Sequence, residues 1–149
     1  MGGYRFNPKK GVQPLMNIEE HVKFINPASM PAGPGYSSVV EATNVTTIYI
    51  SGQIALNPAG EIVGAGDLAA QTKQVFENIR HALEAASVDF RHVVKLTFFL
   101  TDISLMPVVR SIRDEYINLA NPPASSAVEV RRLVRDELLI EVEAIAVRA

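Results

Sequence analysis

Two stretches constrain the fold most, "TTIYIS" (Thr46 to Ser51) and "VVKLTFFL" (Val93 to Leu100), because each is apolar on both faces when read as a strand. Alternation puts Ile48 and Ile50 on one side with Tyr49 on the other, and separates Phe98 from Phe99 in the same way. A sheet made of such strands needs cover on both faces. Only two segments have helical spacing. The first is capped by Asp67 and runs to about Ala86, with Leu68, Thr72, Val75, Phe76, Ile79 and Leu83 on one face. The second is capped by Asp102 or Ser104, carries Val109, Ile112, Tyr116 and Leu119 inward, and stops before Pro122-Pro123. Two helices cover one face, so the other face is expected to pack against further copies of the chain.

The remaining segments fill out the sheet. "HVKFIN" reads as a short edge strand, followed by a proline- and glycine-rich loop. "YSSVVEA" and "TTIYISGQIAL" are expected to form a hairpin around Thr43-Asn44-Val45. "PPASSAVEV" and "LLIEVEAIAV" supply the last two strands, joined around Arg135-Asp136. The order predicts an α+β fold, one mixed sheet with two helices on one face. With 149 residues the chain is long enough for one domain with a real core. That domain is expected over 17–149, with 1–16 a poorly ordered extension or leader and Met16 an alternative start.

Composition narrows the chemistry. The net charge of −2, with Lys and Arg scattered, gives no electrostatic support for nucleic-acid binding. No apolar run approaches a membrane span, and the N-terminal stretch lacks the apolar core of a secretory signal, so the cytoplasm is the expected location. The chain has no cysteine, which removes disulfides, thiolate nucleophiles and Cys-based zinc sites. His21, His81 and His92 have no metal-ligand spacing and are expected to be solvated, His92 within a connection. No metal and no cofactor is expected.

The polar residues inside the strands are more informative. Alternation groups Glu141, Glu143, Ile145 and Val147 opposite Ile140, Val142, Ala144 and Ala146, and the alanine-bearing side suits helix packing. The same parity groups Ser125, Ala127 and Glu129; Tyr49, Ser51 and Gln53; and Lys95 with Thr97. If these sides coincide, the interface mixes apolar groups with carboxylates, hydroxyls and a lysine. Buried carboxylates left alone cost several kcal/mol, so they need partners, water or a ligand. Glu141 or Glu143 can pair with Lys95 or with an arginine of another copy; the group as a whole points to a pocket.

"SGQIALNPAGEIVG", "QTKQVFENIRHALEAA", "VVKLTFFLTDI", "PPASSAVEV" and "IEVEAIAV" together resemble the Rid family, also called YjgF or L-PSP, over about Val22 to Val147. The resemblance implies a chorismate-mutase-like α+β fold and a homotrimer, with three sheets as a central barrel and ligand clefts between subunits. It also implies hydrolysis of reactive enamines and imines: a cleft arginine holds the substrate carboxylate, a glutamate positions water, and a serine-glycine pair lines the site. Ser51 and Gly52 match that pair, and Glu141 matches the glutamate. Ser125 stands where the arginine belongs. The family's cleft tyrosine aligns with Ser38, with Tyr36 close by, and a cleft asparagine aligns with Arg110. Arg110 can be a relocated cation or a solvated helix residue. Loss of a desolvated partner of a carboxylate typically costs about 2–5 kcal/mol, so simple 2-imino acids are expected to be poor substrates.

Three functions follow from the resemblance. The first is a deaminase of reactive enamine- or imine-type metabolites with an altered substrate, using Glu141 for water and Ser38, Ser51, Gly52, Arg110 and Ser125 for a small, carboxylate-bearing ligand. The second is a non-catalytic trimer that binds a metabolite between subunits. The third, an endoribonuclease or translation inhibitor, is disfavoured by the acidic composition and by Ser125.

Overall fold

The structure, a computed structural model, describes residues 17–149; the extension expected over 1–16 lies outside them. The strands are β1 (Val22–Ile25), β2 (Val39–Ala42), β3 (Thr46–Gln53), β4 (Val93–Leu100), β5 (Ala124–Glu129) and β6 (Ile140–Arg148). The helices are α1 (Leu68–Ala85) and α2 (Met106–Arg113). β3, β6, β4 and β5 lie side by side in that order as a mixed sheet, in which β4 and β5 run parallel and the other neighbours antiparallel. This is the α+β architecture expected from the order of the segments.

The expected hairpin does not form. β2 pairs with β1 in a separate two-stranded sheet. Thr43 N–H continues toward that partner by donating to His21 O at 2.9 Å, so β2 spends its hydrogen bonds on β1. Asn44, with φ 53, then turns the chain in the left-handed region that Asn tolerates, and β3 pairs with the long β6 instead.

α1 begins where Asp67 accepts from Ala70 N–H at 3.0 Å. Every residue assigned to its inner face is buried. Gln71, also fully buried, ties the helix to the segment before β6. Its Nε2 donates to Gly64 O and Glu137 O, and its Oε1 accepts from Leu139 N–H at 2.8 Å. α2 is shorter than expected. Asp102 caps a 3-10 turn at Ile103–Leu105 rather than the helix itself. At the other end Arg113 O accepts from both Tyr116 and Ile117 N–H, a tightened last turn, which leaves Leu119 exposed.

Both helices pack on one face of the sheet. Val75, Phe76, Ile79 and Leu83 of α1 and Met106 and Val109 of α2 form one cluster with Leu96, Phe98, Leu100, Ile140, Val142, Ala144 and Ala146. Phe76 stacks on Phe90 and Tyr116 at its edge. There Tyr116 Oη donates to Glu77 Oε1 at 2.8 Å, and Arg80 binds the other oxygen of the same carboxylate. The Arg80 bond, followed by that of Tyr116, holds Glu77 below its ordinary value. Burial, helped by the Glu77 bond, pushes the Tyr116 phenol up to about 12.

The other face of the sheet carries no helix among the described residues. Tyr49 is 79% exposed there and Val128 45%. No helix among the described residues is long and apolar enough to cross a membrane.

Candidate functional site

A bulge at the end of β3 organises one edge of the open face. Ile50 pairs with Ala144, but Gln53 pairs with Val142, so β3 advances three residues while β6 advances two. The extra residue flips the alternation. Tyr49 and Ser51 face away from the helices, whereas Gln53 shares the side of Val142, contrary to the parity that grouped it with them. Glu141 projects onto this bulge: a Cβ built on Gly52 would overlap its Oε1 and crowd its Cδ. Glycine is needed at 52 for that close approach, not for an unusual φ. Among the described residues Glu141 makes no hydrogen bond or ion pair. Ser51, Gly52 and Glu141 thus lie along one edge of the sheet.

Register settles the other parities. In β4, Thr97 pairs with Glu143 and Phe99 with Glu141, so Lys95, Thr97 and Phe99 share the helix-free face with the two glutamates. In β5, Ala124 pairs with Lys95 and Ser125 with Leu96. Ser126 therefore reaches the open face, where it accepts from Lys95 Nζ at 2.9 Å. Ser125 looks to the helix side with Leu96, so the sides grouped from the sequence coincide only in part. Lys95 consequently pairs with neither glutamate. A shallow hollow of about 240 Å³, lined by Tyr49, Ser51, Lys95, Thr97, Glu143 and Ile145, remains on this face.

Ser38 and Ser125 gather at a second corner. Ser37 ties the loop before β2 to the start of β5: its N–H donates to Pro123 O at 3.1 Å and its Oγ to Pro122 O at 2.6 Å. This brings Ser38, whose N–H donates to Asn26 Oδ1, toward Ser125. Arg113 of α2 is buried and donates to Pro34 O in the same loop. Arg110, one turn earlier on α2, is exposed, and its guanidinium has no hydrogen-bond or ion-pair partner among the described residues. Tyr36 lies over Gly33, where a Cβ would overlap its ring.

Five of the six candidate residues divide into two groups, Ser51, Gly52 and Glu141 at the β3 edge and Ser38 and Ser125 at the β5 corner, while Arg110 lies on the exposed side of α2. β3 and β5 are the two outer strands, roughly 14 Å apart at about 4.8 Å per strand spacing. One chain does not bring the groups together. His92, expected to be solvated, is instead buried beside Asp89, with Nδ1 3.0 Å from Oδ1. Among the described residues no three His, Cys, Asp or Glu side chains converge as metal ligands would. Ser126 and the bulge escaped the sequence reading, although a glycine inside a strand is itself a bulge signal.

A mixed sheet with both helices on one face defines the class of α+β fold to which the chain belongs. Residues 27–148 match the family model Endoribonuclease L-PSP, and the chain belongs to this family, the Rid or YjgF proteins. A RutC family protein of Pyrococcus horikoshii is 43% identical over 128 residues, covering 85% of this chain and 97% of its own. The 2-iminobutanoate/2-iminopropanoate deaminase of Bos taurus is 39% identical over 127 residues, covering 85% and 90%. Among solved structures, a Rid-family protein of unknown function from Yersinia pestis superposes with a TM-score of 0.74 at 33% identity, covering 85% of this chain and 98% of that one.

Proposed function

We propose that the chain forms a homotrimer whose clefts hydrolyse small reactive enamines or imines other than the simplest 2-imino acids. One observation carries the reading: the Glu141 carboxylate stands beside Ser51 and Gly52 without a protein partner among the described residues, and the candidates Ser38 and Ser125 stand at the opposite corner. Setting the Ser51–Gly52–Glu141 edge of one copy against the Ser38–Ser125 corner and the Arg110 of the next completes a cleft. The deaminase named among the relatives supplies the reaction class.

In that cleft Glu141 takes a proton from water as its oxygen adds to the imine carbon. The C–N bond of the resulting carbinolamine then breaks. Glu141 has returned the first water proton to the nitrogen on addition and now carries the hydroxyl proton to it, so nitrogen leaves as ammonia with the bonding pair as the oxygen closes the carbonyl. No cofactor is required, and the proposal places the enzyme in the cytoplasm. Arg110 supplies the cation for the ligand carboxylate in place of the arginine that Ser125 replaces.

Ammonia release from a panel of imines, including 2-iminobutanoate generated in place, tests the proposal. Turnover of at least one imine that Glu141→Gln abolishes is expected, with 2-iminobutanoate among the poorer substrates. A panel with no Glu141-dependent turnover would overturn it. Ser125 favours a second reading, a trimer that binds a metabolite without catalysis; a ligand found by thermal shift in the absence of turnover would establish it. For an endoribonuclease, the net charge of −2 offers little to a phosphate backbone, and salt-dependent RNA binding would be the mark.

A further inference from the structure

A second cavity, of about 350 Å³, opens away from the candidate cleft and shares no lining residue with it. Its volume lies within the range of small-molecule sites. Ile18 and Phe24 give it an apolar patch, and the rest of its lining is polar.

The polar groups have their local duties met in a way that leaves donors to spare. Asn17 Oδ1 accepts from Glu19 N–H and Asn118 Oδ1 from Ala120 N–H. Each amide therefore retains an Nδ2 with no partner among the described residues. Arg91 holds Asp89 through Nε and Nη2, which leaves Nη1.

His92 is the most telling member, being only 3% exposed. Its Nδ1 is committed to Asp89, 3.0 Å from Oδ1 and 3.2 Å from the backbone nitrogen. The carboxylate oxygen only accepts, so the neutral ring carries its proton on Nδ1 and leaves Nε2 as an acceptor. Nε2 has no partner among the described residues, yet no buried side-chain nitrogen or oxygen is left unpaired. Nε2 must then keep its small exposure, and the cavity is what His92 lines. Glu19 contributes the one carboxylate of the lining.

We propose that this cavity is a binding site for a small zwitterion, an α-amino acid with an apolar side chain. Asn118 Nδ2 and Arg91 receive its carboxylate, Glu19 and His92 Nε2 accept from its ammonium group, and Ile18 and Phe24 receive its side chain. The mixed lining selects a ligand that bears both charges on adjacent groups.

The test uses the full chain and L-leucine as the probe, read by NMR at the His92 ring and the Asn118 side-chain amide. Saturable shifts are expected, with 4-methylpentanoate and 3-methylbutylamine, which each lack one charge, binding at least about tenfold more weakly. Asn118→Asp keeps an oxygen to accept from Ala120 N–H but turns the spare donor into a carboxylate oxygen. It should weaken leucine about tenfold or more, and Glu19→Gln should weaken it too. Equal binding of 4-methylpentanoate, no effect of Asn118→Asp, or no saturable shift up to about 10 mM, a concentration that reveals even millimolar sites, would each overturn the proposal. Loss of leucine binding in Glu141→Gln would also overturn it, by moving the ligand to the other cleft.

Discussion

Gly52 and Glu141 share a space that admits one of them fully grown. Gly52→Ala sets a methyl group where Glu141 Oε1 lies, so the carboxylate must move. We expect a stability loss of about 1–3 kcal/mol, the ordinary cost of forcing extra volume into a filled site. Glu141-dependent turnover should fall as well, and denaturant melts with the ammonia assay would check both. Arg110→Ala should weaken a carboxylate ligand by about 1–3 kcal/mol, the value of a hydrogen bond to a charged group, and leave assembly unchanged. Calorimetry on one identified ligand decides it, and unchanged affinity would return Arg110 to the solvated surface. Gly52 was legible from the strand motif, and its physical role was not. A sequence shows that a glycine interrupts a strand but not which side chain occupies the space above it.

Among the elements, the link between α1 and the turn after α2 rests on Tyr116 and Glu77. Tyr116→Phe keeps the stacking on Phe76 but removes the donor to Glu77. It should cost about 1.5–3 kcal/mol as a bond to a charged acceptor, nearer the low end because the site is partly exposed. The pH dependence has a definite sign. The phenol rises from 10.0 in the unfolded chain to about 12 in the fold, so its contribution is intact below pH 10 and is lost as pH rises toward 12. Melting followed from pH 9 upward should show a steeper alkaline decline in the parent than in the phenylalanine variant. Helix α1 and strand β4 were legible in full, because five apolar positions and a threonine at helical spacing and a run of eight mostly β-prone residues leave little choice. Strand partnership was not. β2 reads equally well beside β1 or β3, and the choice depends on hydrogen bonds to His21 that no local pattern records. The division of Ser125 from Ser126 between two faces likewise depends on register with β4. His92 was misread as solvated because burial of a polar ring depends on Asp89 and the elements folded around it.

For the whole molecule, the bare sheet face carrying Tyr49 and Val128 should be covered in solution. Light scattering at micromolar concentration is expected to give three chains per particle, and a stable monomer would reject the proposed trimer. Tyr49→Asp should shift the equilibrium toward smaller species, since it places a charge on a surface that assembly would desolvate. The placement of the two candidate groups on opposite margins of the sheet has a genetic consequence. Glu141→Gln damages only one side of the proposed cleft and Arg110→Ala only the other. The two preparations, one inactive and one of weakened affinity, unfolded together and refolded as a mixture, should therefore complement each other at low substrate: every mixed ring contains a single junction where an undamaged Glu141 meets an undamaged Arg110. Activity above that of either parent would show that each catalytic unit is owned jointly by neighbouring chains.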